Sequence, residues 1–408
     1  MRILILTQWF DPEPTPKGLA FVKTLQQAGH EVRVVTGYPN YPGGRVYPGY
    51  RIRGISHERM DGIDITRLPL YPSHDQSRLG RVLNYVSFGA AALFYGLFMR
   101  RRPDVMYVYH PPLTTALAGM FISWVRGIPF VLDLQDLWPD TLPATGMVHN
   151  PIILKVVERL MRWVYARADA ILPQSPGFTA RLRAFGVPEE KMYLVYNWCD
   201  EKALSSRPPA SWQPPAAFQG KFVVGYAGNL GMAQRLDALL DAAALLQGRP
   251  DICLFIVGAG TEKERLQQRA QALGLSNTIF LPAMPFNEIG GLLELADALV
   301  VHLRRDPLFE ITVPSKTQAY MFMGKPVVVA VQGDAATLVA DAGAGVEAQA
   351  EGPRSIADAI LQLAAMSAEE RAAMGARGRQ YYDAHLSLAV GAGRMLAAME
   401  AVVAKARR

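Results

Sequence analysis

The chain has 408 residues, half of them apolar and 19% charged, with a formal net charge of +6. That length holds two domains of ordinary size, each burying its own core, and the composition excludes a disordered chain. The only cysteines, Cys199 and Cys253, exclude a disulfide framework, lack the neighbours of a metal site and fit a reducing compartment.

The N-terminus, Met1-Arg2-Ile3-Leu4-Ile5-Leu6, enters a strand-like run and turns polar by Thr7-Gln8, too short for a signal peptide, so a cytoplasmic protein is expected. Apolar runs at 2–7, 31–36, 105–109 and 130–134 read as buried strands, and segments 19–28 and 113–124 as covering helices. Such alternation predicts a parallel sheet wrapped on both faces.

The loops after these strands carry the unusual residues. The first is long and ends in Lys17-Gly18 before a helix, where backbone N–H groups approach an anion. The second, with Tyr38, Asn40 and Tyr41 among prolines and glycines, reads either as a rigid platform for a sugar or lipid head or as a stiffened turn. His110 follows the strand at 105–109. Gln135, Asp136 and Trp138 follow the strand at 130–134, where ligands of open α/β sheets sit.

Residues 82 to 99 carry no charge and are flanked by Arg78 and Arg81 on one side and Arg100-Arg101-Arg102 on the other. The run reaches the lower length limit of a membrane span. Asn84, Ser87, two glycines and the α/β pattern on both sides argue against crossing. A helix near 82–102 lying in a membrane surface is the favoured reading, with a buried core helix as the alternative. The segment 151–167, with Lys155, Arg159, Arg162 and Arg167 among apolar residues, reads as a basic amphipathic helix that supports it. The basic residues cluster beside apolar ones, which disfavours nucleic acid as a partner.

Residues 201–220, rich in Pro, Ser and Ala, read as a linker between an N-terminal domain (1–200) and a C-terminal domain (221–386). The strand–helix alternation restarts there, predicting a second doubly wound domain and a cleft between the two. Its first strand ends in Gly228-Asn229-Leu230-Gly231, with Arg235 shortly after. Small residues let backbone close on a phosphate, and Asn229 and Arg235 can donate to it. Gly258-Ala259-Gly260 reads as a tight turn. The run from Leu308 to Pro326 is the most informative. Pro314-Ser315-Lys316 puts a cation at a predicted helix start, eight residues separate Glu310 from Gln318, and Gly324-Lys325-Pro326 ends the helix.

Taken in order, Gly37–Gly43, Asp136–Asp140, Asn197–Asp200, Tyr226–Gly231 and Pro314–Gln318 resemble the retaining GT-B nucleotide-sugar glycosyltransferases of family 4. The likeness is to the bacterial polysaccharide branch of colanic-acid and O-antigen fucosamine transferases. It covers nearly the whole chain. It implies an α/β, GT-B fold of two Rossmann-like domains facing a cleft, and a C-terminal helix (387–408) returning to the first domain. It also implies a UDP-sugar held by the C-terminal domain, a polyprenyl-diphosphate-linked saccharide as acceptor on the N-terminal domain, and neither metal nor cofactor. The implied setting is O-antigen, capsule or exopolysaccharide synthesis at the inner face of the plasma membrane.

The family's diphosphate-binding Arg and Lys are Asn229 and Gln234 here. Lys316, Arg235 and the Gly228–Gly231 loop are therefore expected to neutralise the leaving diphosphate, with Ser315 beside them and Lys17-Gly18 approaching from the other domain. Glu310 is expected to hold donor-sugar hydroxyls and Gln318 the ribose. Counting back from Gly324, however, puts the family's two glutamates at Ile311 and Ala319. Asp136 is expected to orient or deprotonate the acceptor hydroxyl, with Tyr38, Asn40, Tyr41, His110, Gln135 and Trp138 around it. Competing readings are a UDP-N-acetylhexosamine 2-epimerase-type isomerase and a non-catalytic nucleotide-sugar- or glycan-binding subunit.

Overall fold

Strands form where apolar side chains can be buried on both faces, and in β-rich runs such as Val105–Tyr109 and Phe130–Leu134 every residue is buried. The computed structural model describes residues 1–73, 78–144, 146–206, 212–285 and 287–407. It divides into Met1–Tyr196 with Gly391–Arg408, and Asn197–Val390.

The first unit contains β1 (Arg2–Leu6), β2 (Glu31–Gly37), β3 (Ser56–Met60), β4 (Ile63–Leu68), β5 (Val105–Tyr109), β6 (Phe130–Leu134) and β7 (Ala170–Pro173), in the order β3-β4-β2-β1-β5-β6-β7. Pairing is parallel except at the edge, where β3 runs antiparallel to β4. That departs from the expected all-parallel sheet. Its cause is local: Met60 pairs with Ile63 across Asp61-Gly62, whose φ values of 48° and 86° are those of a tight two-residue hairpin turn.

The arginine-flanked segment is a helix, Arg78–Phe98. Gly89 and Gly96 lie seven residues apart on one face, against the helix Leu113–Arg126. A Cβ on Gly89 would stand 2.9 Å from Thr114 Cβ, and one on Gly96 would stand 2.3 Å from Ile122 Cδ1. Close helix approach therefore explains both glycines. Arg126 closes the far end by donating to the carbonyls of Gly96, Leu97 and Met99 at 3.2, 2.6 and 3.0 Å. Phe88 and Ala92 are buried, while Leu79, Val82, Leu83, Val86, Phe94 and Phe98 are exposed. The helix is thus half core and half exposed apolar surface.

The basic segment forms the helix Pro151–Arg167, capped by Asn150, whose side chain accepts from Ile152 N–H at 2.9 Å. The last helix, Leu388–Ala406, packs into the first unit from Gly391 onward. There Tyr107 donates to Met395 Sδ at 3.7 Å.

The second unit begins at Asn197, ahead of the expected linker. Tyr382 donates to Glu201 Oε1 at 2.8 Å and Leu388 N–H gives to the same oxygen at 2.8 Å. Those bonds tie a short helix, Glu201–Leu204, to this unit. Residues 207–211 of the expected linker lie outside the described residues. The sheet comprises β8 (Phe222–Ala227), β9 (Ile252–Val257), β10 (Thr278–Leu281), β11 (Ala298–His302), β12 (Val327–Ala330) and β13 (Gly345–Glu347), all parallel, in the order β10-β9-β8-β11-β12-β13. Order reverses between β8 and β11, so the loops after these strands flank the switch point where such sheets bind ligands.

Candidate functional site

In the second unit the loop after β8 is shaped by glycine. Gly228 has φ +137°, and a Cβ there would meet Lys316 Cε at 2.6 Å and Nζ at 2.8 Å. Lys316 lies on the first turn of the helix Ser315–Phe322, whose start has no side-chain cap. Its Nζ sits 5.1 Å from the centroid of the Tyr226 ring. Tyr320, one turn on and on the same face, accepts from Ala227 N–H at 3.0 Å and donates to Ala227 C=O at 3.2 Å. The helix is thus pinned to the end of β8, and its lysine is laid across bare backbone. Loss of hydration brings the Lys316 pKa down from 10.5 to about 8.

Gly258-Ala259-Gly260 is more than a tight turn. Gly258 has φ +151° and its Cβ would strike Gly228 C=O at 1.8 Å, while one on Gly260 would strike Leu230 C=O at 2.3 Å. Backbone bonds of 2.9 Å (Gly228 N–H to Val257) and 2.8 Å (Leu230 N–H to Ala259) lock the two glycine loops together. Gln234 supports them by accepting from Gly231 N–H at 3.1 Å and from Asn229 Nδ2 at 3.2 Å. Gln234 thus serves as a loop brace.

Other expected donor residues fall differently. Arg235 has φ +43° and points its guanidinium at Glu351, 3.3 Å away. It lines a recess bounded by Gly231, together with Arg265, Arg269 and Arg304, whose charges are met by Asp237, Asp241, Glu262 and Asp306. It is therefore not a second free cation beside Lys316. Gln318 is buried with Oε1 lacking a partner, whereas Ala319 is half-buried and stands one turn after Lys316. Of the two, Ala319 is the more open position, and it carries no carboxylate or amide. Ser315 is exposed. Glu310 is exposed at the end of a turn, Pro307–Glu310, whose backbone is wedged against Gly333, 2.0 Å from where a Cβ would stand. Its carboxylate has no ion pair or hydrogen bond among the described residues.

In the first unit the expected anion cradle at Lys17-Gly18 is already filled. Asp11 accepts from Leu19 N–H at 2.6 Å, taking the helix start with the chain's own carboxylate. Lys17 is buried and faces inward to the charge of Asp133; burial pulls its pKa down to about 8 against that attraction. Asp133 is itself buried. It accepts from the Tyr107 hydroxyl and, at 2.6 Å, from Gln135 Nε2. Burial raises its pKa, and Lys17, Tyr107 and Gln135 hold the rise back. Gln135 is consumed by this network and by Gln174, which donates to its carbonyl at 2.7 Å.

Asp136 is different. It is half-buried and accepts no hydrogen bond from the described residues, and loss of hydration raises its carboxyl from 3.8 to about 6. The phenols of Tyr85 and Tyr109 both feel its charge, so the three share one neighbourhood. His110 is fully buried, neither ring nitrogen has a partner, and burial depresses its pKa to about 3, leaving it neutral. Trp138 is half-buried with its indole N–H unpaired.

Tyr38 and Asn40 are buried and hold the loop itself: Asn40 Nδ2 donates to Tyr38 C=O at 2.9 Å. Tyr41 alone of that group reaches the surface. Its N–H and that of Asn40 donate to Glu13 Oε1, each at 2.7 Å, and Phe10 N–H reaches the same carboxylate at 3.2 Å. Burial lifts the pKa of Glu13, and these three donors counter it. Glu13, Asp133, Trp9, Asn84 and Tyr85 were missed in the sequence. A lone acid inside the apolar run Phe130–Leu134 was the one available signal, for Asp133.

Comparison with known proteins then assigns the chain's relatives. Residues 19–198 match the family "Glycosyl transferase 4-like domain", and residues 211–381 match "Glycosyl transferases group 1". A protein of Escherichia coli (strain K12) provisionally named as a colanic acid biosynthesis glycosyl transferase, WcaI, is 27% identical over 81% of this chain and 83% of its own. A GDP-mannose-dependent alpha-mannosyltransferase of Mycolicibacterium smegmatis is 25% identical over 65% of each. Among solved structures, Anabaena HepE in complex with UDP superposes with a TM-score of 0.70 at 16% identity, over 98% of this chain and all of that one.

Proposed function

From the premise that this chain is a glycosyltransferase with the two-domain GT-B fold, we propose that it moves a sugar from a UDP-sugar to a polyprenyl-diphosphate-linked saccharide at the inner face of a bacterial plasma membrane. The transfer serves surface-polysaccharide synthesis, runs with retention at the anomeric carbon and needs neither metal nor cofactor. The donor sugar is an N-acetylated hexosamine or 6-deoxyhexosamine.

The observation that carries this reading is Lys316 resting on Gly228 at the switch point of the second sheet. When the glycosidic bond breaks, the nucleoside diphosphate gains negative charge. A cation and an uncapped helix start stabilise that charge as it develops. Lys316 therefore carries the leaving-group role. Glu310, unpaired and exposed, holds donor-sugar hydroxyls. In the first unit Asp136, poised at about 6, takes the proton of the acceptor hydroxyl. Tyr41 and Trp138 line the acceptor around it, while His110 is fully buried.

The exposed stripe of the helix Arg78–Phe98, with Arg100, Arg101 and Arg102 after it, rests on the membrane that holds the acceptor's lipid. Purified protein is incubated with a panel of UDP- and GDP-sugars, with and without undecaprenyl-diphosphate saccharides, and nucleotide release is followed. Release of UDP that depends on the lipid-linked acceptor supports the proposal. Conversion of the donor to an epimer without acceptor, or no turnover of any donor, would sink it.

A further inference from the structure

Three half-buried aromatic rings come together in the first unit from three separate elements. Trp9, after β1, lies 5.0 Å from Tyr41, after β2, and 6.4 Å from Tyr85, on the helix Arg78–Phe98. Each ring stands next in sequence to a buried amide: Gln8, Asn40 and Asn84. Those amides form a chain of their own. Gln8 Nε2 donates to Asn84 Oδ1 at 2.6 Å, and Asn84 Nδ2 donates to Asn40 Oδ1 at 3.2 Å.

The backbones that bear the rings are fixed as well. Tyr41 N–H is held by Glu13, Trp9 C=O accepts from Thr7 Oγ1 at 2.9 Å, and Tyr85 C=O accepts from Thr114 Oγ1 at 2.8 Å. A core cluster of aromatics would be wholly buried and would not need a polar base. Here the three rings are only half-buried, and the buried amides next to them in sequence are bonded to one another. Rings held rigidly before a ligand arrives lose little entropy on binding it.

We propose that Trp9, Tyr41 and Tyr85 form the subsite for the sugar ring that receives the transferred residue, stacked by its face with its reacting hydroxyl towards Asp136. The electron-rich ring faces attract the polarised C–H groups of a pyranose, while its hydroxyls stay at the edges. This placement rests on the acceptor assignment made above.

A water-soluble acceptor saccharide without its lipid, titrated calorimetrically into the full chain, tests the subsite independently of turnover and of membrane. Trp9→Ala and Tyr85→Ala are expected to weaken its binding about tenfold each, the scale of losing one stacked face. Trp9→Phe restores most of that loss, and UDP binding is unchanged in all three. Folded variants that bind the saccharide as the parent does would overturn the subsite. Retained, ring-dependent saccharide binding in a protein that turns over no donor would instead overturn the transferase mechanism and leave the subsite standing.

Discussion

Gln8 donates to Asn84 at 2.6 Å, joining the loop after the first strand to the helix that carries the exposed apolar stripe. Asn84 also gives its amide protons to Asn40 at 3.2 Å and to Tyr71 C=O at 2.7 Å. One buried side chain therefore ties three segments together. Asn84→Leu leaves the buried donor of Gln8 and the buried acceptor of Asn40 unmatched, at a cost of about 1–3 kcal/mol for each one that water cannot reach. A fall in unfolding free energy of that order, read as a lower urea midpoint at an unchanged slope, is expected. A variant as stable as the parent would mean that the amide chain is not structurally important.

Lys316 sets the second prediction. Lys316→Ala should lower kcat by about a hundredfold or more, the scale of losing one preorganised charge at a developing anion. The donor KM should change far less. The pH dependence has a definite sign. With a pKa lowered to about 8, the cation is present below pH 8 and is lost as pH rises through it. Turnover should therefore fall on the alkaline side. Stability moves the other way: the unfolded lysine, at 10.5, binds the proton more tightly, so stability rises with pH between about 8 and 10.5. A rate profile that stays flat from pH 7 to 9.5 would remove Lys316 from the leaving-group role.

Much of this site was legible in the sequence, and the parts that were not share a cause. The apolar runs that became β1, β2, β5, β6 and β8 need only local burial, so their pattern reveals them. Lys316 was readable because Pro314-Ser315 mark a helix start beside it. Arg235 looked equally suited to a diphosphate, but its partner Glu351 lies far along the chain and pairing could not be inferred. Lys17 misled for the same reason: Asp133 claims it from another strand, and Asp11 takes the anion site. Gly258 and Gly260 matter only through backbone contacts with Gly228 and Leu230, which no spacing shows. The hairpin β3–β4 was a missed local signal, since Asp61-Gly62 is a strong turn pair.

Asp136 supplies a test on the acid side. Its carboxyl is raised to about 6, so the carboxylate needed to accept a proton disappears as pH falls through 6. kcat/KM should drop about tenfold per pH unit below that point. Asp136→Asn should abolish that limb along with most of the activity. Between 3.8 and about 6 the folded protein binds more protons here than the unfolded chain, so this group makes stability fall as pH rises. The Asn variant should accordingly gain stability relative to the parent at pH 7 and lose that advantage near pH 4. A parent enzyme whose acid limb survives in a weakly active Asn variant would place the base elsewhere.

The outer stripe of the helix Arg78–Phe98 answers a separate question, because leaving Phe94 and Phe98 at 63% and 71% exposure forfeits burial that the fold does not provide. Each ring entering the acyl boundary contributes about 1.5–3 kcal/mol, and each arginine at an anionic surface about 1 kcal/mol. The basic helix Pro151–Arg167 extends the same chemistry, with Ile152, Val156 and Trp163 exposed among Lys155, Arg159 and Arg162. Trp163 meets Phe121 edge-on at 5.2 Å, which links it to the helix Leu113–Arg126 that packs on the glycine face of Arg78–Phe98, behind the stripe. Phe94→Ser with Phe98→Ser should cut flotation with phosphatidylglycerol vesicles by at least about tenfold at any ionic strength. Replacing Arg100, Arg101 and Arg102 with Gln should weaken it mainly at low salt, because charges beyond about 10 Å are screened at 0.1 M. Both variants should keep full activity on a short-chain, water-soluble acceptor and lose it on vesicle-borne acceptor. If the serine variant floats as the parent does, the stripe faces something other than lipid.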